Sequence, residues 1–397
     1  MSNENIERLI DKFLELEQSE KNRIRKTKWK RLPSSGRDQW RATPKLDKSW
    51  KDGEIPIVID MQNSIWSRYL NFSLREFYTD PRVFLENYLR IMTERFQLFD
   101  DDVYLSKIIN IWGGAAYEGS LFGMKCTLSD NADPWLDYTP LICCEDDIDR
   151  MPMPEFEKSG MGVDMIRIYE GVKDILGDRF EVCFPEWLRG PFGIAVYLRG
   201  FDDFLTDLLA EPEFAQKMLR FATDSYHHWN AQLHRYLGRK PSPVNLYNDE
   251  VNCPTISPEV YRNIVQPYDR EIGNRNGGLL YWHSCGDVTL LLDDIGALPN
   301  IEMMHVGPWT SVDKAAEIFG KKSSLEICVN PQKDIFDVDI DAMIRKINSI
   351  ITTCRTRDVD GFYIRAGGLG IFGDLDTTLN KIKVWNDAAK HAITQYM

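Results

Sequence analysis

Between residues 55 and 365, short apolar runs alternate with longer stretches whose apolar residues recur at helical spacing. The runs lie at 55–60, 103–111, 180–184, 244–248, 279–283, 301–306, 324–328 and 361–365. Stretches of helical periodicity fill the intervals, among them 201–234, 258–274, 288–295, 311–319 and 340–352. Ser257, Asp287, Thr310 and Asp339 stand where helix N-caps belong. Strands separated by helices pair in parallel, because a parallel crossover needs a dozen or more residues. Eight such units fit a closed barrel better than an open sheet. The expected fold is therefore α/β, a (β/α)8 TIM barrel over residues 55–397 preceded by an N-terminal helical extension over residues 1–54.

The extension reads differently from the rest. Ile6, Leu9, Ile10, Phe13 and Leu14 recur as one face of an amphipathic helix. A basic run follows, Lys21, Arg23, Arg25, Lys26, Lys28, Lys30 and Arg31, and ends at the turn signal Pro33-Ser34-Ser35-Gly36. Such a run reads first as a solvated helix face, and second as a docking surface for an acidic partner.

Several function classes drop out. Lys+Arg number 48 against 61 Asp+Glu, a net charge of -13, whereas a nucleic-acid binder needs a basic surface. No run approaches the ~18–20 apolar residues that span a bilayer, and the first residues show no apolar secretory segment. Eight scattered cysteines suit a reducing cytoplasm better than a disulfide framework. No Gly-rich dinucleotide or phosphate loop opens a helix after a strand.

Barrels carry their chemistry at the C-terminal ends of the strands. The polar residues there are Asp60, Asn110, Glu186, Asp249, Glu250, His283, Cys285, His305, Cys328 and Arg365. The sharpest element is Tyr281-Trp282-His283-Ser284-Cys285-Gly286-Asp287, whose His-x-Cys step aims an imidazole and a thiol at one point. Zinc takes such donors, usually four in a tetrahedron, so His305, Cys328, Asp249 and Glu250 are candidates to complete the set. Spacing alone does not separate this from a packed histidine and a buried thiol. The other cysteines read as core or loop residues, and His227, His228 and His234 as ordinary helix positions. Trp282 and Trp309 flank the centre, and Trp112, Tyr117 and Glu118 beside Gly113-Gly114 are candidate pocket walls.

From about residue 55 onward the chain resembles the uroporphyrinogen decarboxylase superfamily, which includes zinc-dependent, corrinoid-linked methyltransferases. The pieces that carry the resemblance come in family order. They are Asn248-Asp249-Glu250, Ser257-Pro258-Glu259-Val260-Tyr261, Gln266-Pro267-Tyr268, His283-Ser284-Cys285-Gly286-Asp287 with Leu290-Leu291, Val329-Asn330-Pro331, and Gly361-Phe362-Tyr363-Ile364 leading to Gly367-Gly368-Leu369-Gly370. Decarboxylase members grip their substrate's carboxylates with an Arg-rich segment after the first strand. This chain has Asp60-Met61-Gln62-Asn63-Ser64-Ile65-Trp66 there instead. Thiol-methylating members place a third zinc-binding Cys where this chain has Gly368.

The resemblance implies a zinc methyltransferase that moves a methyl group between a small methylated substrate and a corrinoid protein, the substrate demethylase direction being favoured. Zn2+ would sit on His283 and Cys285, with Cys328 before His305 as further ligands. Asp249, Glu250 and Tyr247 are expected to handle protons or orient His283, and Arg365 to contact substrate. No Asp-x-His-x-x-Gly element is present, so the corrinoid is expected on a partner protein. Two alternatives stand beside this: a tetrapyrrole decarboxylase, and a catalytically silent barrel that binds a tetrapyrrole or a partner protein.

Overall fold

The computed structural model describes residues 3–29, 55–137, 139–184 and 187–396. Eleven strands occur among them: β1 (Ile57–Met61), β2 (Ile108–Asn110), β3 (Cys126–Thr127), β4 (Trp135–Leu136), β5 (Glu181–Cys183), β6 (Trp187–Arg189), β7 (Val244–Tyr247), β8 (Leu279–His283), β9 (Ile301–Val306), β10 (Ser324–Val329) and β11 (Phe362–Leu369). All eight expected runs contain a strand. β6 and the small antiparallel pair β3–β4 were not foreseen.

Seven strands form one curled parallel sheet in the order β1-β11-β10-β9-β8-β7-β6, a half-barrel, while β2 and β5 make a separate parallel pair. Among the described residues no ladder joins the two sheets, so the fold differs from a fully hydrogen-bonded barrel. The reason is visible at the open edge of β1. Asp102 Oδ2 accepts the Ile57 N–H at 2.9 Å, and Asp101 Oδ2 accepts the Ile59 N–H at 3.0 Å. Arg95 caps the Ile59 carbonyl and holds Asp101 at 2.6 Å. Two carboxylates and a guanidinium thus satisfy the edge that a neighbouring strand would otherwise pair.

Alternation along the strands separates two apolar clusters. One lies inside the curl and includes Val58, Tyr247, Tyr281, Met303 and Tyr363; the larger lies between sheet and helices. The helices mostly follow the expected spans. The stretch 201–234 breaks into Phe201–Ala210 and Pro212–Tyr236, because Pro212 lacks the N–H needed to continue a helix and instead opens a new one. Ser257 and Asp339 cap as expected, but the 312–319 helix is capped by Ser311, which accepts the Lys314 N–H at 3.3 Å. Thr310 Oγ1 serves instead as acceptor for the Val288 N–H at 3.1 Å.

The N-terminal residues pack onto this body. α1 (Asn3–Glu17) buries Ile6, Ile10 and Phe13 and lies along the helix Pro81–Leu98. In α2 (Glu20–Lys28) the basic run is only partly solvated. Arg25 is buried, donates to the carbonyls of Phe99 and Val103 at 2.7 and 2.8 Å, and pairs with Asp101. Lys28 pairs with Asp102 at 2.8 Å. Trp29 then inserts under the sheet: its ring packs edge-on to Tyr363 at 5.2 Å, and its Nε1–H donates to the Asp102 carbonyl. Lys30, Arg31 and the turn signal at Pro33 lie outside the described residues, as does Glu186. No helix among the described residues is long and apolar enough to cross a membrane.

Candidate metal centre

The C-terminal ends of the strands surround a cavity of about 710 Å³, a size that takes a whole small molecule. His283, the last residue of β8, pairs in register with Tyr247 of β7. Beyond them the chain turns so that two loops meet. The Asn248 N–H donates to the His283 carbonyl at 2.7 Å, and the Cys285 N–H donates to Asp249 Oδ1 at 3.2 Å. Gly286 makes that approach possible, since a Cβ there would stand 2.4 Å from Asn252 Cβ.

Three donors of different chemistry converge where the loops touch. His283 Nε2 lies 3.2 Å from Cys285 Sγ and 3.1 Å from Asp249 Oδ1, and all three ligand atoms fall within 4.8 Å of one another. His305 stands beside them, its ring centroid 4.0 Å from that of His283, and Cys328 Sγ is 3.8 Å from His305 Nδ1. Burial would raise the Asp249 carboxyl, but His283 and Arg189 outweigh it and hold the group well below the usual carboxylate range. Cys285 goes the other way: desolvation, then the Asp249 charge, pushes its thiol far up, with Arg365 opposing. A thiol held protonated between an imidazole and a carboxylate is a donor set that a cation would complete. Nitrogen, sulfur and oxygen together are the ligand types of zinc.

A second layer lies below. Glu326, wholly buried on β10, faces His305 across the β9 register and Tyr363 across β11. Its carboxylate accepts from Tyr281 OH at 2.5 Å, His305 Nδ1 at 2.8 Å, Arg365 at 3.1 Å and Tyr363 OH. Arg365 also holds Asp60. Glu326 and Tyr281 escaped the reading of the sequence, although each stands two residues before a recognised one, Cys328 and His283. Period two along a strand puts such pairs on one face.

The cavity lining includes Trp112, Tyr247, Asp249, His283, Cys285, His305, Trp309, Cys328 and Arg365 from the expected set, with Gly368 at φ +67°. Four expected residues are not brought to it. Trp282 alternates to the helix side of β8 and is fully buried. Tyr117 packs on Trp229 around a separate, much smaller cavity. Glu118 and Glu250 lie with Arg189: Glu118 accepts its backbone N–H at 2.7 Å, and Glu250 takes its guanidinium at 2.6 Å. Burial pushes the Glu118 carboxyl up to about 8, against the pull of Arg189.

The rest of the wall is strongly aromatic, with Trp66, Tyr88 and Trp135 joining Trp112 and Trp309. Two arginines line it, and both are spent on carboxylates: Arg95 on Asp101, and Arg365 on Asp60 and Glu326. No lysine lines it among the described residues.

The family profile described as uroporphyrinogen decarboxylase matches residues 68–392. Among solved structures, the chain is similar to a methyltransferase from Methanosarcina mazei, with a TM-score of 0.61 at 14% identity, covering 85% of this chain and 96% of that one. No match is found among curated proteins.

Proposed function

Since the chain belongs to the uroporphyrinogen decarboxylase family, we propose that it is a zinc-dependent methyltransferase. It would move a methyl group between a small methylated substrate and a corrinoid carried by a partner protein. The observation that carries this reading is the convergence of His283 Nε2, Cys285 Sγ and Asp249 Oδ1 at the mouth of the large cavity. These residues would hold the cation, with Cys328 or His305 beside them. Bound there, zinc supplies Lewis acidity to the heteroatom that carries the methyl group. An oxygen donor in place of a third thiolate leaves such a cation more electrophilic, which favours the demethylating direction.

The chain's own residues do the remainder. Trp112, Trp135 and Trp309 seat an apolar or aromatic body and exclude water. Asp249, kept ionised, orients His283 through a 3.1 Å contact. Arg365, bound to Asp60 and Glu326, fixes the floor of the site. The same committed arginines argue against the decarboxylase alternative, because a substrate with many carboxylates needs several uncommitted guanidinium forks. We assign this activity to residues 55–397, with residues 1–54 as a supporting extension, in a reducing cytoplasm.

Metal analysis of protein purified without added metal tests the reading. The expected result is about one zinc per chain, lost in Cys285→Ala, together with transfer of methyl groups from a panel of methyl ethers and thioethers to a Co(I) corrinoid. Absence of metal with carbon dioxide release from a porphyrinogen would establish the decarboxylase. Neither activity nor metal would leave the silent barrel.

A further inference from the structure

One wall of the large cavity has chemistry apart from the metal centre. Phe77, Phe84 and Tyr88 line it as a run of rings, with centroids 5.0 Å apart from Phe77 to Phe84 and 5.9 Å from Phe84 to Tyr88. Trp66 and Trp135 line it as well. These rings come from the helices Asn63–Leu70, Leu74–Phe77 and Pro81–Leu98 and from β4, not from the loops that carry Asp249 and Cys285. One carboxylate stands among them: Asp133 is half-buried and lines the cavity two residues before Trp135. Its Oδ1 accepts from the Tyr78 hydroxyl at 2.6 Å, and the Tyr78 oxygen in turn accepts from Asn63 Nδ2 at 2.8 Å.

Asp133 differs from the other acids of the lining. Asp60 is bound by Arg365, and Asp249 faces His283 and Arg189. Asp133 has a neutral partner, and no cationic side chain pairs with it among the described residues. A half-buried charge without a counter-ion is costly to keep in a folded chain, and the Asn63–Tyr78 relay holds this one in place without neutralising it. Both lining arginines are already bound to carboxylates. The rings add to the negative potential, because an aromatic face carries the negative side of the ring quadrupole. Such a wall attracts a cation and repels an anion. We propose that it is a recognition subsite for an organic ammonium group, with Asp133 as counter-ion and Trp66, Phe77 and Trp135 as aromatic surround. That the same ligand is the methyl donor rests on the reading of the preceding section. The donor is then a methyl ether or thioether with an ammonium group at its other end, which leaves the oxygen or sulfur lone pairs for zinc.

Calorimetric titration of the full-length protein at about pH 7, where an alkylamine is protonated, tests the subsite with ligands of one skeleton and different charge. These are para-methoxybenzylamine, para-methoxybenzyl alcohol and para-methoxybenzoate. The amine should bind about tenfold tighter than the alcohol, and the carboxylate weakest. Asp133→Asn keeps an acceptor for Tyr78; it should lower affinity for the amine about tenfold and leave the alcohol within about twofold of wild type. Asp133→Glu, which keeps the charge, should retain part of the preference. Trp135→Leu, at an exposed position, should weaken the amine more than the alcohol; equal losses would take the ring out of the subsite. Equal affinity for the three ligands, tightest binding of the carboxylate, no binding of the amine, or an amine affinity unmoved in Asp133→Asn would overturn the proposal. Loss of the alcohol as strong as loss of the amine in Asp133→Asn would overturn it too, since the residue would then only shape the wall.

The subsite and the methyltransferase reading fail separately. Preference for the amine in protein that holds no zinc and transfers no methyl group would support the subsite and remove the methyltransferase. Methyl transfer from the neutral ether, with no preference for the amine, would do the reverse.

Discussion

Gly286 lies at the closest approach of the two loops that carry the donors. Its missing side chain leaves room for Asn252, and a methyl group would collide at 2.4 Å with an atom that the backbone holds in place. Gly286→Ala should cost about 1–3 kcal/mol, the range for overpacked sites. It should also move Cys285 away from Asp249. Chemical denaturation measures the first effect and metal titration the second; unchanged values for both would show that the loops give way freely. The pair His283 and Cys285 was legible in the sequence because both donors lie in one short segment. Glu326 and Tyr281 were not, since their roles arise from register between strands far apart in the chain. Trp282 misled because the residue next to a site residue on a strand faces the opposite side, and Glu250, in the turn after β7, is taken up by Arg189 instead.

At the scale of elements, strand positions were readable because apolar runs bounded by helix signals leave few alternatives. Closure was not, because side chains of Asp101 and Asp102 replace a ladder at the β1 edge, and no periodicity encodes that exchange. The basic run was read correctly only in part: Lys21 and Arg23 are exposed as expected. Its charges looked solvated, yet Arg25 and Lys28 meet those very aspartates. The N-terminal helices are thus part of the scaffold that stands where a strand ladder is missing. Trp29→Ala removes a buried ring and its hydrogen bond to the Asp102 carbonyl, and should destabilise by about 3–5 kcal/mol. Thermal unfolding checks this. A loss under 1 kcal/mol would mean that the extension only rests on the body.

For the molecule as a whole, buried acids set how stability varies with pH. Asp269 is enclosed by Tyr261 and Asn248, and burial pushes its carboxyl up to about 7. An unfolded aspartate releases its proton near ~3.9. The folded state therefore binds this proton more tightly, and stability falls as pH rises from about 4 to about 7, then levels. Asp269→Asn keeps an acceptor for Asn248 and should flatten that slope in urea titrations run across the range. A slope identical to wild type would assign the dependence to other groups.

Trp29, Val103 and Tyr104 fill the space beneath the N-terminal ends of the strands. Among the described residues they close the chamber from below, so whatever comes in over the rim goes out the same way. If the chamber takes the two reactants proposed above, they share it in one order only: the small one settles first and the bulky one stoppers it. An excess of the bulky reactant should then slow turnover, as a cork set before the bottle is filled.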